Sequence, residues 1–235
     1  MPLSKLKTAL AAVDWKGNIE SLMADTKSAD RLASANLQLA IWSRQFESAD
    51  VRNPALCFVR EMQVAGQYVA VLVALSLYKP AASSMRAMLE TALYYSYFRT
   101  HHAELETLAR GTGYYPEKKE ILEFHKQHTF NFSERQQRLG VVSRLDSWYG
   151  RVSSLVHGQI PGAWIEHKSV AEIKAIKDVQ DAAINTFVEG ADIVRRFFLC
   201  TTGHQLWDAF STEAKRQLLS GLHGEEKKAL KLDTA

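Results

Sequence analysis

Apolar residues recur along 140–157 as Val141, Leu145, Trp148, Val152 and Leu155, at intervals of four, three, four and three. That spacing lines up one face of an α-helix. The same period runs through 169–202, where Ile173, Ile176, Val179, Ala183, Phe187 and Ile193 form a stripe behind a capping box, Ser169-Val-Ala-Glu172. Residues 54–78 are apolar nearly all round, the pattern of a helix at the centre of a bundle. Prolines fall between the periodic stretches. Asn53-Pro54 reads as a helix N-cap and first helical residue, Pro80 separates two apolar stretches, Pro116 precedes a charged run, and Pro161-Gly162 follows the end of another helix. The pattern predicts helices over 28–49, 54–78, 81–102, 117–128, 140–157, 169–202 and 204–222. The tail after Gly224 reads as frayed.

Composition narrows the class. Only 12 Gly and 5 Pro in 235 residues leave too few turns for a protein of many short strands, and 46% apolar residues exclude a disordered chain. The expected fold is all-α, one helical bundle in a single domain over 1–235. Lys and Arg exceed Asp and Glu by 29 − 26 = 3, and no segment is strongly polarised, which excludes a dedicated basic arm for DNA. Cys57 and Cys200 lie in apolar helical stretches without zinc-site spacing and are expected as reduced, buried thiols. The N-terminus lacks a signal-peptide pattern. The uncharged run between Glu61 and Lys79 falls just short of a membrane span. Both point to a cytoplasmic protein without a membrane partner.

Candidate chemistry sits where charge interrupts apolar helix. Between residues 81 and 98 the only charges are Arg86 and Glu90, which share a face at i and i+4. Such charges need partners, because desolvating an isolated ion is very costly. Opposite the apolar stripe of 140–157 lie Asp146, Gly150, Ser153 and His157, with Gly158 placed to end the helix. Ser154 adjoins this polar row. Arg151 precedes His157 by six residues, which turns the two about 120° apart on a helix.

The segment Trp148-Tyr149-Gly150-Arg151-Val152-Ser153-Ser154-Leu155-Val156-His157-Gly158 resembles the helix of HEPN-superfamily proteins that carries an Arg-x(4–6)-His motif. Together with Met85-Arg86-Ala-Met-Leu-Glu90 it resembles a group of little-characterised prokaryotic HEPN-like proteins that pair an Arg-x3-Glu helix with a Ser-x2-Val-His-Gly helix. The resemblance implies a bundle built on a long antiparallel helix pair, with a core over about 50–202 on which residues 1–49 and 203–235 pack, and it implies a homodimer. Many members are metal-independent ribonucleases of toxin–antitoxin and phage-defence systems. Carried over, His157 would be the general acid or base toward an RNA 2′-hydroxyl, and Arg151 would stabilise charge on the phosphorane. Active members place a polar residue after the motif arginine, whereas this chain has Val152. That departure favours a non-catalytic component that binds a protein encoded nearby, a nucleotide or RNA, with Arg86, Glu90, Asp146, Ser153, Ser154 and His157 as a polar network. The alternative is an endoribonuclease using Arg151 and His157 across a dimer.

No cofactor or metal is expected. His101-His102, and His125 with His128 at i, i+3 beside Glu120 and Glu123, raise a metal site as an option, but exposed histidines on a polar helix are the simpler reading. Tyr94, Tyr95, Tyr97, Phe98, Tyr114 and Tyr115 fit core or dimer-interface packing, with base stacking as the alternative.

Overall fold

A computed structural model describes residues 2–165 and 167–232, and no strand occurs among them. The helices are α1 (Pro2–Ala11), α2 (Trp15–Ala24), α3 (Thr26–Ala49), α4 (Leu56–Ala74), α5 (Tyr78–Phe98), α6 (His102–Ala109), α7 (Lys118–His128), α8 (Phe132–Leu139), α9 (Val141–Val156), α10 (Lys177–Thr201), α11 (His204–Ala209), α12 (Thr212–Leu218) and α13 (Gly224–Leu230), with one 3-10 turn at Val170–Glu172. The molecule is thus an all-α, multi-helix bundle.

Helices α4 and α5 form the most extensive antiparallel pair, joined through Leu75–Leu77. Ser76 takes a left-handed φ of 62° there, and the Leu77 amide donates back to Leu72 O at 2.8 Å, closing the end of α4. Helices α3 and α10 pack on this pair, and α9 lies against α5 and α10. The junction of α3, α5 and α10 is aromatic: Phe46 meets Tyr95 at 4.5 Å and Phe198 at 5.0 Å between ring centres, with Trp42 stacked beside it.

The stripe predicted on α9 is buried throughout: Val141, Leu145, Trp148, Val152 and Leu155 all face the core. Trp148 anchors it. Its indole Nε1 donates to Thr186 O of α10 at 2.8 Å, and its ring crosses α10 at Gly190. A Cβ on Gly190 would stand 2.5 Å from that ring, so only glycine permits the crossing. This packing fixes the rotation of α9 and so determines which residues it presents outward.

Several expectations are corrected. Helix α10 begins at Lys177, not 169. Glu172 does accept from the Lys168 amide at 3.0 Å and the Ser169 hydroxyl at 3.3 Å, but these bonds close only a 3-10 turn. Beyond it, Asn18 Oδ1 accepts from the Ala175 amide at 2.8 Å and the Tyr78 hydroxyl accepts from the Ile176 amide at 3.3 Å. These tertiary partners take amides that a helix would have used. The 204–222 helix breaks at Ser211, whose hydroxyl caps α12 while its amide donates to Gln45 Oε1 at 2.9 Å. The tail beyond Gly224 is not frayed. It forms α13, with a His223–Glu226 capping box, a Glu226–Arg196 ion pair at 2.6 Å, and Ala229, Leu230 and Leu232 buried. Residues 233–235 lie outside the described part.

Helix α4 is not surrounded on all sides. It is long and apolar enough by length and composition to cross a membrane. One face, including Val59, Met62, Val69 and Val73, is buried in the bundle, while Val64, Tyr68 and Val71 are exposed. Cys57 shares that outer face and is exposed, whereas Cys200 is buried. The short helices α6 and α8 have no counterpart among the predicted elements, because α8 carries only Phe132 and Leu139 as apolar residues.

Candidate functional site

The outer face of α5 carries Arg86 and Glu90, and α9 brings Tyr149 and His157 to meet them. Arg86 Nε donates to Glu90 Oε1 at 2.8 Å, and the Tyr149 hydroxyl donates to the same oxygen at 2.7 Å. Arg86 Nη1 lies 2.6 Å from His157 Nε2. A guanidinium has no lone pair, so Nε2 is the acceptor and the neutral ring carries its proton on Nδ1. The Arg86 guanidinium also sits over the Tyr149 ring at 5.1 Å, and Lys118 of α7 approaches the same ring at 4.9 Å. Lys118 Nζ in turn donates to Asp146 Oδ1 at 2.5 Å.

Local structure explains the placement. His157 is the C-cap of α9, its amide bonded to Ser153 O at 2.9 Å, and Gly158 follows with φ +67°, the left-handed conformation expected there. The imidazole is therefore exposed at the end of the helix rather than buried between helices. Helix α7 starts at a Glu117–Glu120 capping box, which sets Lys118 and Lys119 in its first turn beside the cluster.

The ionisation states follow from the contacts. Burial works against the charge on Arg86, but the hydrogen bond and charge of Glu90, with Tyr149 adding to them, together outweigh it and hold the guanidinium above its ordinary range. Burial, reinforced by donation to Glu90, pushes the Tyr149 phenol up to about 12. The cluster therefore presents a fixed cation and a neutral phenol. Beside it opens a cleft of about 300 Å³ lined by Arg86, Glu90, Tyr94, Tyr115, Lys119 and Tyr149, among others. Lys119 has no ion-pair partner among the described residues.

Of the residues singled out in the sequence, Arg86, Glu90 and His157 meet directly, and Asp146 joins through Lys118. The others do not. Arg151 turns toward α10 and ion-pairs with Glu189. Ser154 bonds to Gln159 Oε1 at 3.1 Å, and the Ser153 hydroxyl is buried without a hydrogen-bond partner. Tyr149, Lys118 and Lys119 complete the site. Tyr149 was legible as the residue three after Asp146 on the same helix face, but nothing in the sequence couples α7 to α9.

Two further expectations change. His125 is not an exposed histidine: it is 2% exposed and bonded to Ser96 and Thr129, so it cannot share a metal with His128. Among the described residues no group of three or more His, Cys, Asp or Glu is placed to hold a metal ion. In the aromatic run Tyr95 and Phe98 are core, Tyr94, Tyr97 and Tyr114 are half-buried, and only Tyr115 is exposed.

No family model, curated protein or solved structure matches the chain.

Proposed function

We propose that the chain is a HEPN-like binding module of a prokaryotic stress or phage-defence system. It takes a nucleotide or a single-stranded RNA segment at the Arg86–Tyr149–Lys118 cleft and does not cleave it. The observation that carries this reading is the Arg86–His157 contact at 2.6 Å. A nuclease of the Arg-x5-His kind needs a histidine lone pair free for the 2′-hydroxyl and the motif arginine on the same phosphate. Here the Nε2 lone pair is taken by Arg86, and Arg151 is engaged by Glu189. What remains suits binding. Arg86 and Lys119 are donors for a phosphate, and the exposed Tyr115 ring beside them offers a stacking surface. Base–aromatic stacking contributes about 1–3 kcal/mol per base.

The test mixes the protein with labelled single-stranded RNA in EDTA and reads anisotropy and a denaturing gel from the same sample. Saturable binding with intact RNA is the expected result. Cleavage that disappears in His157→Ala would replace this reading with the alternative, a metal-independent endoribonuclease acting across a homodimer. One observation favours that alternative: Arg151 and His157 are both exposed, so a second copy has access to them.

A further inference from the structure

A second cleft lies at the other end of the same α5 face. It measures about 460 Å³ and opens between the first turns of α5, the last turn of α9 and the loop that follows α9. That volume is in the range of small-molecule sites. Leu77, Val156 and Trp164 are among its apolar walls, and Lys79, Ser83 and His167 supply its polar edge. None of its lining residues lines the Arg86 cleft, although Ser83 stands only one turn before Arg86.

The wall and the edge have different characters. Trp164 is held at φ +61°, a conformation rare for a residue with a side chain. Turn bonds on either side fix it there, Ala163 N to Ile160 O at 3.2 Å and Ile165 N to Gly162 O at 3.1 Å. The turn fixes the backbone at Trp164, and the partly buried side chain packs on the core and forms a flat wall of the cleft. Among the described lining residues the one fixed charge is the Lys79 ammonium. No carboxylate belongs to the described lining, and neither Lys79 nor His167 has a hydrogen-bond or ion-pair partner among the described residues. Helix α5 begins at this cleft with no side-chain cap on Leu77, so the positive end of its dipole adds to the same sign.

We infer that this cleft binds a small amphipathic monocarboxylate, its flat apolar body against Trp164 and Leu77 and its carboxylate at Lys79. One fixed cation suits one negative charge, and the apolar walls suit a body that water would not hold. The site is independent of the function proposed above.

Isothermal titration with 1-naphthylacetate, and with its neutral analogue 1-naphthylethanol, tests the assignment. One saturable site is expected, with the neutral analogue about tenfold weaker. Lys79→Gln brings the acid down to the affinity of the neutral compound and leaves the latter unchanged. Trp164→Ala, and Ser83→Trp placed to fill the cleft from an exposed position, weaken both compounds. Arg86→Gln changes neither, which separates this site from the RNA cleft. Folding of each variant is checked by its melting curve. No saturable heat at millimolar probe overturns the proposal, as does equal binding of acid and neutral compound, or binding that Lys79→Gln and Ser83→Trp both leave unchanged.

Discussion

Helix α5 carries two polar clusters built from similar groups. Near its middle, Arg86 and Glu90 meet Tyr149 and His157 at the surface, with the Arg86 and Glu90 side chains 26% and 33% exposed. One and a half turns further, Ser96 meets His125 and Thr129 in the core. In the inner cluster every hydrogen is assigned. Ser96 donates to Leu93 O at 2.7 Å, so it accepts from His125 Nε2–H at 2.9 Å, and His125 Nδ1 accepts from Thr129 at 2.7 Å. Nothing is left over for a ligand. The outer cluster is half open: its cation faces a cleft, and its histidine keeps an Nδ1–H directed away from Arg86. A closed ring of donors and acceptors stabilises a fold, whereas an unfinished one at the surface is available for recognition.

The largest expected differences are in stability. His125→Ala removes a buried ring and its bonds and is expected to cost about 3 kcal/mol in urea denaturation, while Glu90→Ala costs under about 1 kcal/mol because that cluster is partly solvated. Equal losses would erase the distinction. Burial, with the charge of His101 adding to it, pushes the His125 imidazole down to about 3. Its ordinary value is 6.5, so between those values the unfolded chain takes a proton that the folded one refuses. Stability therefore falls as pH drops from 6.5 toward 3, at up to about 1.4 kcal/mol per pH unit from this group. The slope is expected to flatten in His125→Gln, and an unchanged slope would contradict the assignment.

Two buried arginines differ in the same way. Arg195 is satisfied by Asp192 and by the carbonyls of Leu218 and Ser220, whereas Nε and Nη2 of the buried Arg135 have no partner. Arg195→Met is expected to lose about 3 kcal/mol, because Asp192 Oδ1 and two carbonyls lose their donor while Asp192 Oδ2 stays paired with Arg144 and Arg196. Arg135→Met is expected to stay within about 1 kcal/mol of the parent or to gain stability. The smallest effect is electrostatic. Glu90→Gln is expected to bring the Tyr149 phenol down from about 12, because the carboxylate that opposes its ionisation is gone. Carbon-13 NMR of the labelled tyrosine ring reads that shift directly.

The core of this fold was legible where packing obeys local periodicity. The α9 stripe and the Arg86/Glu90 pair are legible because each lies within one helix. The 120° between Arg151 and His157 was also a local fact, and the structure turns it into different partners, Glu189 and Arg86. Contacts between distant segments were not legible. The start of α10 depends on Asn18 and Tyr78, the order of α13 depends on Arg196, and the second cation over Tyr149 comes from α7. His125 looked polar and exposed because its partner Ser96 lies 29 residues away.

The arginine beside His157 is Arg86, while Arg151 turns away to Glu189. Anisotropy titration of one labelled single-stranded RNA with the parent chain, Arg86→Gln and Arg151→Gln tests most directly which of the two serves the site. At least about tenfold weaker binding is expected for Arg86→Gln, equivalent to about 1.4 kcal/mol, and near-parental binding for Arg151→Gln. Loss of binding in Arg151→Gln with Arg86→Gln unaffected would contradict it.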